Sequence, residues 1–422
     1  MRNFRKMAIL PVFFTMAGTA PNVLAGGFGI ATQSGSGTGN AFAGGAAVAD
    51  DASVAWSNPA AMMALPAGKQ FTVAGHFLKP SFKFSNTGST GLFAAPGTGE
   101  GGDGGDWALV PNAFYTMDIN PKLRFGVAVN VPFGLKTEYD AGWRGQATAL
   151  KSEIKTLNVN PSLAYRLSDT VSVGGGVSVQ KFDTELSRFT GSAALGNVTL
   201  NADDVGYGFN LGLLVQATPG TRFGVSYRSS IKYDLDGTAV FSGPAGGAFN
   251  SSVSADLTVP ESASFSVLSA INPKWEAMAD ITWTRWSRLQ QLNVMRTTAS
   301  AGGAAGTRLT SIAFNWSDSW RFGIGANYRM NEQTKFRFGL AVDKTPTNDA
   351  TRTPRLPDEQ RTWAAVGVQY RVSKAGVLDV GYAHEFMHDA AVNASEAGLP
   401  GALVGKFKDQ ADIISIQYSH SF

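Results

Sequence analysis

Apolar residues recur at every second position through most of this chain. Leu123, Phe125, Val127, Val129, Val131 and Phe133 fall on one face, and Arg124, Gly126, Ala128 and Asn130 on the other. Val171, Val173, Val177 and Val179 alternate with Ser172, Gly174, Gly176, Ser178 and Gln180. Trp275, Ala277, Ala279, Ile281 and Trp283 alternate with Lys274, Glu276, Asp280, Thr282 and Thr284. Successive side chains of a β-strand point to opposite faces, so this is strand periodicity. In a soluble sandwich the face that meets the second sheet is built from large side chains. Here one face is greasy and the other is Gly, Ser or charged. That suits a barrel with lipid outside and a wet or plugged lumen inside.

Composition agrees. Among 422 residues there are 49 Gly, 11% are aromatic and only 16% are charged. The mean hydropathy is close to zero, as expected where lipid-facing and lumen-facing residues cancel. There is no Cys, which removes disulfides and thiol chemistry. Four His (His76, His384, His388, His420) offer no third ligand for the His384/His388 pair, so neither a metal nor another cofactor is expected. The net charge of +3 includes Arg2, Arg5 and Lys6 at the start of the chain, so a basic nucleic-acid surface is not expected.

That start reads as a secretory signal over residues 1–25: a basic head, an apolar run from Met7 to Ala17, and small residues before Gly26. Short turns at Asn120-Pro121, Ser168-Asp169, Pro219-Gly220, Asn272-Pro273, Asn331-Glu332 and Ser373-Lys374 alternate with longer links. The longer links fall near Ser85–Asp106, Lys136–Thr148, Gly191–Asp203, Asp236–Ser251, Thr297–Leu309, Pro346–Pro357 and Ala390–Gly405. Counting the segments between them predicts about fourteen strands, an even number like bacterial outer-membrane barrels. Trp and Tyr near the strand ends, Trp286, Trp316, Tyr139 and Trp143 among them, are expected to form interfacial girdles. The last strand alternates through Ile414, Ile416, Tyr418, His420 and Phe422. Its final aromatic predicts a partnership with the barrel assembly machinery through Phe422.

Residues 26–65, GGFGIATQSGSGTGNAFAGGAAVADDASVAWSNPAAMMAL, have too few large side chains to build a core of their own. Small residues with one fixed Pro suit a segment packed inside something larger.

Several ordered stretches resemble the FadL family of outer-membrane channels for long-chain fatty acids, which includes relatives that pass toluene-like aromatics. They are Gly39 to Ser53 with Asn58-Pro59-Ala60; Tyr227-Arg228-Ser229 with Ile231-Lys232; Leu257-Thr258-Val259-Pro260-Glu261; Trp283-Thr284 with Trp286-Ser287; Gln290-Gln291-Leu292; Asp343 with Thr345-Pro346; and Pro357-Asp358 with Arg361 and Trp363. The resemblance implies an all-β membrane protein of the outer membrane of a Gram-negative bacterium. It implies a transmembrane antiparallel barrel of about fourteen strands over residues 69–422 around an N-terminal hatch, residues 26–68.

It also implies a route: capture outside, an apolar internal pocket beside the hatch, and lateral exit through a kink in the third strand. Val131-Pro132-Phe133-Gly134 suits such a kink, because Pro removes a ladder donor and Gly accepts unusual dihedrals. Asn58, Pro59 and Ala60 are expected to contact that kinked wall, and with Pro132, Phe133 and Gly134 to form the gate. The ligand site implied by the resemblance is Phe28, Arg188 and a second basic position. Ser317 stands at that second position, where the family has Lys.

The expected cargo is a long-chain fatty acid or another hydrophobic small molecule, with neutral aromatics or alkanes as the alternative. A diffusion porin and an outer-membrane lipid hydrolase are the rival classes; the hatch opposes the first, and the second lacks a nucleophile motif. Outer-membrane lipid and lipopolysaccharide are the expected surroundings, and a monomer without enzymatic activity the expected state.

Overall fold

The computed structural model describes residues 26–422, so the secretory signal lies outside the described residues. Twenty hydrogen-bonded segments build fourteen antiparallel strands, because six of the strands are interrupted. β1 (Lys69–Asn86), β2 (Ala108–Asn120), β3 (Leu123–Asn130 and Gly134–Glu138), β4 (Lys151–Arg166) and β5 (Val171–Phe189) come first. β6 (Asn197–Thr218), β7 (Thr221–Arg228 and Ile231–Phe241), β8 (Ser251–Val259 and Ser262–Ala270), β9 (Trp275–Thr284 and Gln291–Arg296) and β10 (Arg308–Ala313 and Ser319–Arg329) follow. β11 (Thr334–Asp343), β12 (Arg361–Arg371), β13 (Gly376–Met387 and Ala390–Ala394) and β14 (Leu403–Ser421) complete the wall. β14 pairs with β1 from Gln70↔Ser421 to Asn86↔Gly405, which closes the sheet into a barrel.

The alternation read from the sequence sorts the two faces. Leu157, Val159, Leu163, Val177, Val179, Tyr207 and Leu211 are exposed on the outside, as a lipid-facing surface requires. Their neighbours Asn158, Asn160, Ser162, Ser178 and Gln180 are buried inside.

The segment before β1 touches every strand. Its Ala52 N–H donates to Thr72 of β1, and its Thr32 and Gln33 carbonyls accept from Asn112 of β2. Met62 accepts from Arg124 of β3, Met63 from Arg166 of β4, and Asn58 donates to the Leu213 carbonyl of β6. Trp56 accepts from Arg228 of β7, Ala46 donates to Ser266 of β8, and Gly44 to Asp280 of β9. Asn40 donates to Asn327 of β10, Asp50 accepts from Arg337 of β11, and Gly35 donates to Gln417 of β14. At Gly174 of β5, Gly367 of β12 and Gly381 of β13 the segment's backbone comes so close that a Cβ would collide with it. A short segment that meets all fourteen staves of a closed barrel can lie only inside it. The small inner face is thereby explained, since glycines let the two backbones approach.

Several boundaries differ from expectation. The link after β5 is shorter than Gly191–Asp203, because β6 resumes at Asn197. The region from Asp236 is still strand up to Phe241, and Ala390–Ala394 is strand as well. The aromatic girdle is also smaller. Trp107, Tyr165, Trp320 and Tyr370 are exposed, but Tyr139, Trp143, Tyr233, Trp286, Trp316 and Trp363 are buried inside. Proximity to a strand end does not say which way a ring points where the strand is broken.

Candidate functional site

Phe28 sits at the centre of a ring cage. It is 3% exposed, and its ring centroid lies 5.8 Å from Phe133, 5.0 Å from Trp286 and 5.8 Å from Trp316. Each cage residue comes from an interruption in the wall. Phe133 lies in the break of β3, Trp286 in the break of β9 and Trp316 in the break of β10. A regular strand would aim these side chains by period two; a break frees them to turn inward.

The local causes can be read. Pro132 offers no N–H to the ladder, and the two halves of β3 are separated by Val131-Pro132-Phe133. Val131 and Phe133 therefore leave the lipid face that the alternation gave them; Val131 is buried and Phe133 packs beside Phe28. Trp286 opens a 3-10 turn, Trp286–Arg288, whose arginine donates to Glu261 in the break of β8, with Arg288 Nη2 to Oε1 at 2.8 Å. Trp316 follows Asn315, which has φ of 48°, a left-handed conformation that Asn adopts more easily than most residues.

The break in β3 also opens the wall. β2 pairs with β3 only from Ala113↔Val129 down to Asn120↔Leu123. The second half of β3 pairs with β4 and not with β2, so Ala108–Asn112 of β2 has no β3 partner. The N-terminal arm, residues 26–33, covers this place from inside. Ile30 N–H donates to the Pro132 carbonyl at 2.8 Å, and Gly134 N–H donates to the Phe28 carbonyl at 2.9 Å. Gln33 Nε2 donates to the Val131 carbonyl at 3.0 Å. The arm's start is fixed separately: Gly26 N–H donates to Asp343 at 3.1 Å and Gly27 N–H to Asp358 at 2.8 Å.

A cavity of about 310 Å³ lies between the hatch and the wall; Gly29, Ile30, Pro132, Phe133 and Trp286 line one side of it. Outward from the cage, one contiguous apolar cluster joins Phe28 to Leu135, Tyr139, Phe182, Tyr233 and Leu356.

Of the residues named from sequence, Phe28, Pro132, Phe133 and Gly134 come together here. Asn58, Pro59 and Ala60 do not. Asn58 is fully buried against β6, donating to the Leu213 and Ala46 carbonyls at 3.0 and 2.6 Å. Its Oδ1 accepts from Ala60 N–H, and Ala60 rests against Gly174. The expected contact with the kinked wall is therefore made by the arm instead.

Arg188 lies near the outer end of β5, paired with Glu396 at 3.2 Å. Ser317 is exposed, with its N–H bonded to the Pro346 carbonyl at 3.0 Å. Trp286 and Trp316 are cage members that the sequence reading placed in the girdle. The signal that could have found them is the loss of alternation on either side, at 285–290 and 314–318.

Residues 16–422 match the model of a family described as outer membrane protein transport protein (OMPP1/FadL/TodX). The long-chain fatty acid transport protein of Escherichia coli K12 is 26% identical over 415 residues, covering 88% of this chain and 89% of the relative. Outer membrane protein P1 of Haemophilus influenzae is 27% identical over 431 residues, with 91% and 90% covered. The crystal structure of a Pseudomonas aeruginosa FadL homologue superposes with a TM-score of 0.85 at 26% identity, covering 94% of this chain and 100% of that one. The Ralstonia pickettii toluene transporter TbuX shares the fold, with a TM-score of 0.67 at 20% identity over 92% and 98% of the two chains. A family match over nearly the whole sequence, on a closed fourteen-stranded barrel, places the chain in the OMPP1/FadL/TodX family of outer-membrane transport proteins.

Proposed function

We propose that this outer-membrane transporter of hydrophobic compounds takes up long-chain fatty acids passively, and that they leave sideways through the opening between β2 and β3. The observation that carries the reading is the break at 131–133. The residues that leave β2 without a partner are the residues that hold the arm presenting Phe28. A ligand that displaces Phe28 from its cage would disturb the bonds closing the opening. Binding at the cage and opening of the wall would then be one event, provided the ligand favours the displaced arm. Each methylene buried in the apolar cluster contributes about 0.8 kcal/mol, so a long chain supplies ample free energy for that exchange. No covalent chemistry is needed.

A second reading is a neutral aromatic or alkane cargo. It is supported by the aromatic make-up of the cage. Uptake of labelled oleate and of labelled toluene, in cells lacking the protein and then supplied with it, separates the two. Gly134→Leu tests the route. It is expected to lower uptake of the true cargo while the barrel still assembles, and unchanged uptake would remove the lateral exit.

A further inference from the structure

The lipid-facing surface of β11–β13 holds a trough of about 660 Å³. Phe338 and Leu340 of β11 form one ridge of it, and Tyr382 and Phe386 of β13 the other; all four are exposed. The floor is Ala364 of β12, which stands in the ladder directly between Leu340 and His384. A small residue between two rows of large ones leaves the hollow. The Tyr382 hydroxyl donates to Asp412 of β14 at 2.6 Å, and His384 Nδ1 lies 2.8 Å from the same carboxylate. These contacts fix both rings and tie this wall of the trough to β14.

Beside the trough, the seam between β14 and β1 is basic. Lys83 and Lys408 stand directly opposite each other in the ladder, and Lys406 follows Lys408 on the same face. All three are exposed. Like charges directly opposite on neighbouring strands repel. Lys406 pairs with Asp389 at 2.6 Å, and Lys83 reaches Asp103 at 3.9 Å. Lys408 also acts on Asp389 but forms no ion pair of its own among the described residues. Gln410, two residues from Lys408, is the ladder partner of Phe386, so Lys408 and Phe386 are diagonal neighbours and seam and trough are continuous. The outer face of β5–β8, across the barrel, differs. Lys181 and Lys232 are closed by Asp183 and Asp234 at 2.8 and 2.6 Å, and Asp203, Asp236 and Asp256 are exposed around them. An anion is repelled there and attracted at the seam. Short turns such as Asn331-Glu332 and Ser373-Lys374 mark the periplasmic end, so the seam lysines, at the opposite ends of β14 and β1, face the outer leaflet.

We propose that this face binds a phosphorylated, multiply acylated glycolipid of the outer leaflet, the lipid A part of lipopolysaccharide. A phosphate lies between Lys83 and Lys408 and removes their repulsion, while one acyl chain fills the trough over Ala364. A lipid with a wide headgroup and several chains spans seam and trough together. The site is on the outside of the wall and is independent of the cargo and its route. It links β11–β13 to β14 and β1 across the closure of the barrel, so its occupant stabilises the closed sheet by mass action.

The test uses the purified full-length barrel in detergent, with diphosphoryl lipid A, its dephosphorylated form and phosphatidylglycerol as probes, and counts bound lipid by native mass spectrometry. Wild type is expected to hold diphosphoryl lipid A about tenfold tighter or more than the dephosphorylated form, the size of a hydrogen bond to a charged group. The double variant Lys83→Gln, Lys408→Gln is expected to lose that preference, and Lys181→Gln, across the barrel, to keep it. Ala364→Trp fills the trough and is expected to weaken both glycolipids alike. Resistance to unfolding by heat confirms that each variant is assembled. Equal binding of the two glycolipids by wild type, or an unchanged preference in the double variant, overturns the phosphate site. Undiminished binding in Ala364→Trp overturns the trough as the seat of the chain. Phosphatidylglycerol held as tightly as diphosphoryl lipid A overturns the glycolipid as the occupant.

Discussion

The two parts of the hatch are held in different ways. The body, residues 34–66, is clamped by arginines of the wall that donate to its backbone carbonyls. Arg124 reaches Met62 and Pro66, both at 2.7 Å; Arg166 reaches Met63 at 2.6 Å; Arg228 reaches Trp56 at 2.8 Å; and Arg321 reaches Ala41. Arg228 also lies 3.2 Å above the Trp56 ring. Asp50 adds ion pairs to Lys335 and Arg337, each at 2.8 Å. Hydrogen bonds to charged groups contribute about 1.5–3 kcal/mol each. The arm, residues 26–33, instead meets the break in β3 through neutral backbone bonds, worth about 0.5–1.5 kcal/mol each, and through rings. Only its first two residues bond to carboxylates. The piece that can move at modest cost is therefore the arm, and the body is its mount. A plug that slides as a whole would have to break the charged clamps together.

The largest effect on this contrast should come from the clamp. Arg337 is 2% exposed and holds Asp50 and Asp379, the latter at 2.9 Å. Arg337→Ala leaves both carboxylates inside without their common cation, at a cost of about 3–5 kcal/mol. The body should loosen, with a rise in steady conductance across planar bilayers and faster hydrogen exchange at residues 34–66. A conductance as low as wild type would mean that the body does not depend on its charged clamps.

Phe28→Ala comes next. Truncating a buried Phe costs about 3–5 kcal/mol where the site cannot collapse, and part of that cost is recovered here because the arm is free to readjust. The expected result is a strong loss of uptake and faster exchange confined to residues 26–33, with conductance near the wild-type level. Loosening of the body as well would show that arm and body are one unit.

The closed barrel was legible because lipid and lumen impose opposite chemistry on alternate residues. Arg124 fell on the inner face by period alone, and Phe125 beside it on the outer. The break at Pro132 was legible too, through the missing N–H. What failed was direction at the interruptions. Trp286 and Trp316 looked like girdle residues because period two says nothing once the strand stops. The clamps were hidden for another reason: their acceptors are backbone carbonyls, which carry no residue identity. Trp316 turns in and Ser317, the residue after it, turns out.

Asn58 gives the smallest and most discriminating effect. It was expected at the gate, yet it joins the body to β6 and to the Ala46 carbonyl and makes no bond to the break. Its Oδ1 also caps the 3-10 turn Pro59–Ala64 by accepting from Ala60 N–H. Asn58→Ala removes that cap and two donated bonds, a loss of about 2–4 kcal/mol in a body that retains its arginine clamps. If the arm alone gates the wall, uptake should fall much less in Asn58→Ala than in Phe28→Ala, and hydrogen exchange should quicken around residues 58–64 only. If Asn58→Ala abolishes uptake as completely as Phe28→Ala, the body of the hatch takes part in opening. The contrast between a fixed body and a moving arm would then have to be given up.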